Sequence, residues 1–144
     1  MPVVVRPLES YDLPAVLALN NAAVPAVPPA TREELAQLVV VAGLAVVAEL
    51  EPGSPVGFLL AMDPGVGYES ENYRWFNGRS DSFVYVDRIV VGEGQRGTGI
   101  GRALYAAAFD RAVEYGRAEV TCEVNVRPAN PESLAFHELS LIHI

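Results

Sequence analysis

Lysine is absent from this chain; all ten basic residues are arginine. A Walker A loop ends in Gly-Lys-Ser/Thr, so that kind of nucleotide site is excluded. With the abundance of Ala, Val and Gly, the arginine bias reflects a GC-rich coding sequence rather than a function. There is one cysteine, Cys122, which excludes an internal disulfide, and two histidines beside it do not make a zinc constellation. Positive charge is scarce: the formal net charge is -8, which argues against a nucleic-acid partner and is compatible with a cationic, amine-bearing substrate. The longest apolar run, Leu38–Ala48, is too short to span a bilayer, and the start "MPVVVRPLES" lacks the regions of a signal peptide. No internal repeat or low-complexity segment occurs. The expectation is a cytoplasmic protein with no membrane partner.

What is present is enough apolar material for one packed domain: 51% of 144 residues. Val3–Val5 is a short β-prone run. Ser10 or Asp12 can cap a helix reaching about Asn21, with Leu13, Val16, Leu17 and Leu19 on its apolar side. "VPAVPPA" interrupts the chain, and Thr31 with Glu34 forms a capping box that opens a second helix. "LAVVAEL" and "VGFLLAM" flank the turn signal "EPGSP" and predict a hairpin.

The segment from Asp63 to Ser82 is long, polar and rich in aromatics. Long irregular connections are often functional. Two compatible readings stand side by side: a loop anchored to the core by Trp75 and Phe76, or a substrate-pocket wall bearing Tyr68, Glu69, Glu71 and Tyr73. "FVYVDRIVV", Phe83–Val91, is the strongest strand pattern. A glycine-rich loop follows, then a helix from about Gly99 to Tyr115 whose apolar face would be Leu104, Tyr105, Ala108, Phe109, Ala112 and Val113, with Gly116 ending it. "EVTCEVNV" alternates as a strand. Strand, loop, helix and strand make a βαβ unit with parallel strands and a right-handed crossover. Asn130 and Pro131 mark the start of a last short helix.

The loop carries Gly92, Gly94, Gly97, Gly99 and Gly101, more than a tight turn needs. Backbone N–H groups at a helix N-terminus bind anions, and Arg96 and Arg102 flank them here. One candidate is the dinucleotide fingerprint G-x-G-x-x-G, as Gly92, Gly94 and Gly97 with Glu123 as the ribose acid. A NAD-binding domain, however, opens with this unit and continues through further βα units, whereas here the loop comes late in the chain. The other candidate is R-x-x-G-x-G/A, read as Arg96, Gly97, Thr98, Gly99, Ile100 and Gly101.

This second pattern resembles motif A of the GNAT N-acyltransferase superfamily, and the surrounding order agrees. A long strand precedes the loop, a fifth strand follows, and N-x-x-S-x-x-F appears as Asn130, Ser133 and Phe136, followed by His137. "VYVDRIVV", "CEVN" and "NPESLAFHE" together are similar to a bacterial group within it. The resemblance implies an α/β (α+β mixed sheet) fold, with helices flanking a central sheet, and a single acyltransferase domain over 1–139. Residues 140–144, "SLIHI", depart from the family pattern where Gly-Phe and two further strands are expected. That implies a chain truncated at its C-terminus, with an aberrant tail.

The same resemblance implies transfer of an acetyl group from acetyl-CoA to an amine by direct attack, with no metal. Backbone groups of Ile89, Val90 and Val91 would pair with the pantetheine arm. The N–H groups from Arg96 to Arg102 would hold the pyrophosphate, with Asn130 and Ser133 as further cofactor contacts. A base is needed to take the ammonium proton. The candidates are Asp87, Glu123 and Glu71: Asp87, mid-strand among apolar residues, ranks ahead of Glu123, while Glu71 would serve as base or only recognise a cation, contacting the acceptor with Tyr68 and Tyr73. Asp87 and Arg88 are expected on opposite faces of the strand, each with some other partner. His137 stands where many members carry the Tyr that protonates the departing thiolate; it would donate that proton or only contact the cofactor. An acyl-CoA-binding module without catalysis and a Rossmann-type NAD-binding protein are the alternatives. A homodimer is compatible with the resemblance, and nothing in the sequence marks its interface.

Overall fold

The computed structural model describes residues 2–66, 73–74, 78, 82–95 and 99–122. In chain order the elements are β1 (Val4–Pro7), a 3-10 turn (Ser10–Asp12), α1 (Leu13–Ala22), α2 (Arg32–Val41), β2 (Leu44–Glu51), β3 (Ser54–Met62), β4 (Phe83–Val91), α3 (Ile100–Glu114) and β5 (Glu119–Cys122). The strands form one mixed sheet in the order β1-β2-β3-β4-β5. All neighbours are antiparallel except β4 and β5, which are parallel across the α3 crossover. One parallel pair in five strands is not the doubly wound sheet of a dinucleotide-binding domain, so that alternative falls.

The sheet is covered on both faces. Under α3, Val46, Ala48, Leu59, Ala61, Val84 and Val86 pack against Ile100, Leu104, Tyr105, Ala108 and Ala112. On the opposite face Val47, Phe58, Leu60 and Val90 pack with Val16 of α1 and Leu35 of α2. Burial from both sides explains why "FLLAM" in β3 is continuously apolar rather than alternating. The helix α3 turns about 100° per residue, which puts Val113 about 180° around from Leu104. Accordingly Val113 is exposed, a correction to the expected apolar face.

Local chemistry places the helices. At α2 the Thr31 hydroxyl accepts from Glu34 N at 3.2 Å, and Glu34 accepts from Thr31 N at 2.9 Å. These bonds hold the Glu34 carboxyl below its usual range. Asp12, at the start of α1, makes no side-chain cap there. Its carboxylate instead accepts from Glu9 N at 2.8 Å and from both terminal nitrogens of Arg6 at 2.8 and 2.9 Å. At the other end of the sheet, Arg111 of α3 forks onto Asp63 at 3.0 and 2.5 Å, with its guanidinium also over the Tyr115 ring.

Strand β4 contains a bulge. Leu60 pairs with Arg88 and Ala61 with Val86, so Asp87 is the extra residue. The alternation of side chains changes phase there. Before it, Val84 and Val86 face α3; beyond it, Ile89 and Val91 do, while Arg88 and Val90 turn to the α1/α2 face.

Candidate functional site

Among the described residues the β4–β5 ladder has four rungs: Phe83↔Glu119, Val84↔Val120, Tyr85↔Thr121 and Val86↔Cys122. Past Val86, β4 continues to Val91 along β3, and among the described residues no strand pairs with its other edge. Asp87 is therefore the first residue beyond the last described rung, at the bulge. The Ile89, Val90 and Val91 side chains are packed into the two cores, so what these residues present along that edge is backbone.

The far end of β4 leads into the glycine loop. Gly92 N donates to Val56 O at 2.7 Å, and a turn closed by Gln95 N and Gly92 O at 3.1 Å contains Gly94 at φ 82°. Gly99 then caps α3 at φ 85°, a conformation that a side chain would strain, with no side-chain cap. The first-turn N–H groups of a helix have no partner within the helix, and its dipole makes that end positive. Ile100 anchors the first turn in the core at 1% exposure, so only its backbone is on offer, while Arg102 is exposed. Gly57 on β3 allows this docking. A Cβ there would lie 2.8 Å from Val90 O and 3.1 Å from Ile100 Cγ2. The end of β4 and the helix N-terminus are thus fixed relative to one another by the close packing at Gly57.

Asp87 and Arg88 are not on opposite faces. The bulge brings them together: Arg88 Nε donates to Asp87 Oδ2 at 3.1 Å, and both side chains are 7% exposed. Arg88 also reaches Asn20 of α1, which reading the sequence did not single out. Thr121, beside Tyr85 on the last-but-one rung, is buried, and its hydroxyl has no hydrogen-bond partner among the described residues. A buried orphan hydroxyl costs about 1–3 kcal/mol and marks a polar spot in an otherwise apolar wall.

Tyr73 is corrected from substrate wall to anchor. It is 1% exposed, its hydroxyl donates to Asp63 O at 2.5 Å and accepts from Val66 N at 3.0 Å, and its ring meets Phe83 and Tyr85 edge-on. Burial raises its phenol pKa. Tyr68, Glu69, Glu71, Trp75, Phe76, Arg96, Gly97, Thr98, Glu123, Asn130, Ser133, His137 and the tail 140–144 lie outside the described residues. Among the described residues there is no group of three or more His, Cys, Asp or Glu placed for a metal, and no helix long and apolar enough to cross a membrane.

A mixed sheet with one parallel pair thus leads through a glycine turn into a glycine-capped helix. The model of the acetyltransferase (GNAT) family matches residues 15–141, and the chain belongs to that family. Among solved structures, Ard1 from Thermoplasma volcanium aligns with a TM-score of 0.77 at 19% identity, covering 96% of this chain and 81% of that one. A ribosomal-protein-alanine N-acetyltransferase from Brucella melitensis aligns at 0.70 with 25% identity, covering 94% and 82%. A phosphinothricin acetyltransferase from Sinorhizobium meliloti, in complex with AcCoA, aligns at 0.73 with 23% identity, covering 96% and 74%. Comparison with curated proteins finds no match.

Proposed function

We propose that this chain transfers an acetyl group from acetyl-CoA to a primary amine by direct attack. The observation that carries the reading is the N-terminus of α3, capped by Gly99 and docked beside the end of β4 through the close approach at Gly57. Backbone along Ile89–Val91 suits a pantetheine arm laid like a strand, and the Gly99–Arg102 turn suits a pyrophosphate, with Arg102 adding positive charge. Acetyl-CoA supplies the activated acyl carbon. The chain's residues orient it and manage protons. A β4 N–H beyond the bulge donates to the thioester oxygen as negative charge develops there. Asp87, at the bulge of β4, accepts the proton of the attacking amine.

Glu123 is the second candidate for that base, and His137 for donation to the departing thiolate. Arg96, Gly97, Thr98, Asn130 and Ser133 complete the cofactor contacts, and Tyr68 and Glu71 face the acceptor. The surplus of acidic residues favours a cationic acceptor, and a cytoplasmic setting fits the use of acetyl-CoA.

The names of the similar structures suggest the acceptors to try: a peptide with N-terminal alanine and phosphinothricin, with spermidine added as a polyamine. The test is thiol release from acetyl-CoA with each amine. Amine-dependent release with a matching acetylated product is expected. Tight acetyl-CoA binding without release from any amine or from water contradicts catalysis and leaves an acyl-CoA-binding module.

A further inference from the structure

The Asp87–Arg88 pair is one link in a longer chain of bonds. From the same guanidinium, Nη1 donates to Asn20 Oδ1 at 3.0 Å and to Pro28 O at 3.4 Å. Asn20 is fully buried, and its Nδ2 donates to Pro28 O and to Asn21 Oδ1, both at 3.0 Å. Asn21 in turn clamps Ala30, accepting from its N and donating to its O at 3.0 Å. Arg88 is thus held at two points: by the carboxylate at one, and at the other by an amide fixed to the α1–α2 connection.

A planar guanidinium aims its donors only when its position is fixed, and here the fixing comes from outside β4. A buried ion pair contributes little net stability against an apolar pair of the same size. Orientation of a carboxylate, by contrast, matters steeply to proton transfer, where a misplacement of about 1 Å costs about 100-fold in rate. We propose that Arg88 is a positioning residue that aims the Asp87 carboxylate at the attacking amine, and that Asn20 anchors Arg88. The inference rests on the reading of Asp87 as the proton acceptor. It ties the α1–α2 connection mechanically to the base.

The test is steady-state thiol release from acetyl-CoA, with the fastest of the three amines above and with water alone. The proteins compared are wild type, D87N, R88A, R88K, N20A and the double variant D87N/R88A. R88A should lower kcat about 100-fold while the KM for acetyl-CoA stays within about twofold. R88K should lose about tenfold, because one ammonium keeps the charge but cannot serve Asp87 and Asn20 together. N20A should lose about tenfold. The double variant should be no slower than D87N, because Arg88 acts only through Asp87; independent effects would multiply.

If R88A fails to melt cooperatively, R88K and N20A carry the same comparison in the D87N background. A loss that persists undiminished when Asp87 is already gone overturns the inference, as does a KM that rises in step with the fall in kcat. D87N slow with R88A as fast as wild type overturns the inference alone and leaves the base standing. D87N as fast as wild type removes the base and the inference with it. A wild-type chain that releases no thiol from any acceptor contradicts the transferase reading and this inference together.

Discussion

The two edges of β4 differ in kind. Along β3 the strand is paired from Tyr85 to Val91, interrupted only by the bulge, with Phe58 and Leu60 buried behind it. Along β5 it is parallel, with described rungs from Phe83 to Val86. In the proposed reading the antiparallel edge carries stability and Asp87 carries proton transfer, and substitutions should separate the two.

The largest expected effect lies at Asp87. Asp87→Asn keeps the side chain's size but removes the proposed proton acceptor and leaves the buried Arg88 charge without its carboxylate. It should lower kcat about 100- to 10,000-fold, far more than its loss of folded fraction explains, measured by thiol release and calorimetry on one preparation. On the antiparallel edge, Phe58→Ala should cost about 3–5 kcal/mol in chemical denaturation, because a fully buried ring leaves a cavity between the sheet and α1. A variant with the effects of these two exchanged would erase the distinction.

Gly57→Ala sharpens it. The new Cβ would meet Val90 O, costing about 1–3 kcal/mol. It would also push the α3 N-terminus from the sheet, so acetyl-CoA binding should weaken beyond what the stability loss explains.

Away from Asp87, pH gives a smaller, purely structural readout. The bonds from Arg6 hold the Asp12 pKa below its unfolded value, although burial opposes the shift. A depressed carboxylate pKa adds stability that is fully present above the unfolded pKa, near about 4, and lost as pH falls through the folded pKa. Asp12→Asn should cost about 1.5–3 kcal/mol at neutral pH, and its gap from wild type should close in acid. A gap that stays constant to low pH contradicts this. The smallest effect belongs to Thr121→Val, which removes the orphan hydroxyl at equal shape and should leave stability unchanged or raise it by about 1 kcal/mol.

Much of this organisation is legible in the residues. The Thr31–Glu34 box, the hairpin around "EPGSP", the apolar run of β4 and the helix opening at Gly99 each follow from short-range chemistry, and each stands in the structure where it was expected. The bulge at Asp87 is not legible. It is a property of how β3 and β4 register, and it reverses which side chains share a face. That is why Asp87 and Arg88 meet although strand alternation separates them. Asn20 escapes notice for a related reason: a helix amide acquires its role from a strand 68 residues away. Tyr73 reads as a polar aromatic in a loop because sequence does not tell whether a hydroxyl finds partners, here Asp63 O and Val66 N, that let the ring be buried.

In the proposed function the end of β4 and the α3 N-terminus together hold acetyl-CoA. Its most direct test is thermal unfolding of the chain with acetyl-CoA, and separately with NAD. At about one hundred times the dissociation constant, acetyl-CoA should add roughly 2.7 kcal/mol, a shift of several degrees for a domain of this size, while NAD should add none. A shift with NAD, or none with acetyl-CoA at millimolar concentration, would contradict the account.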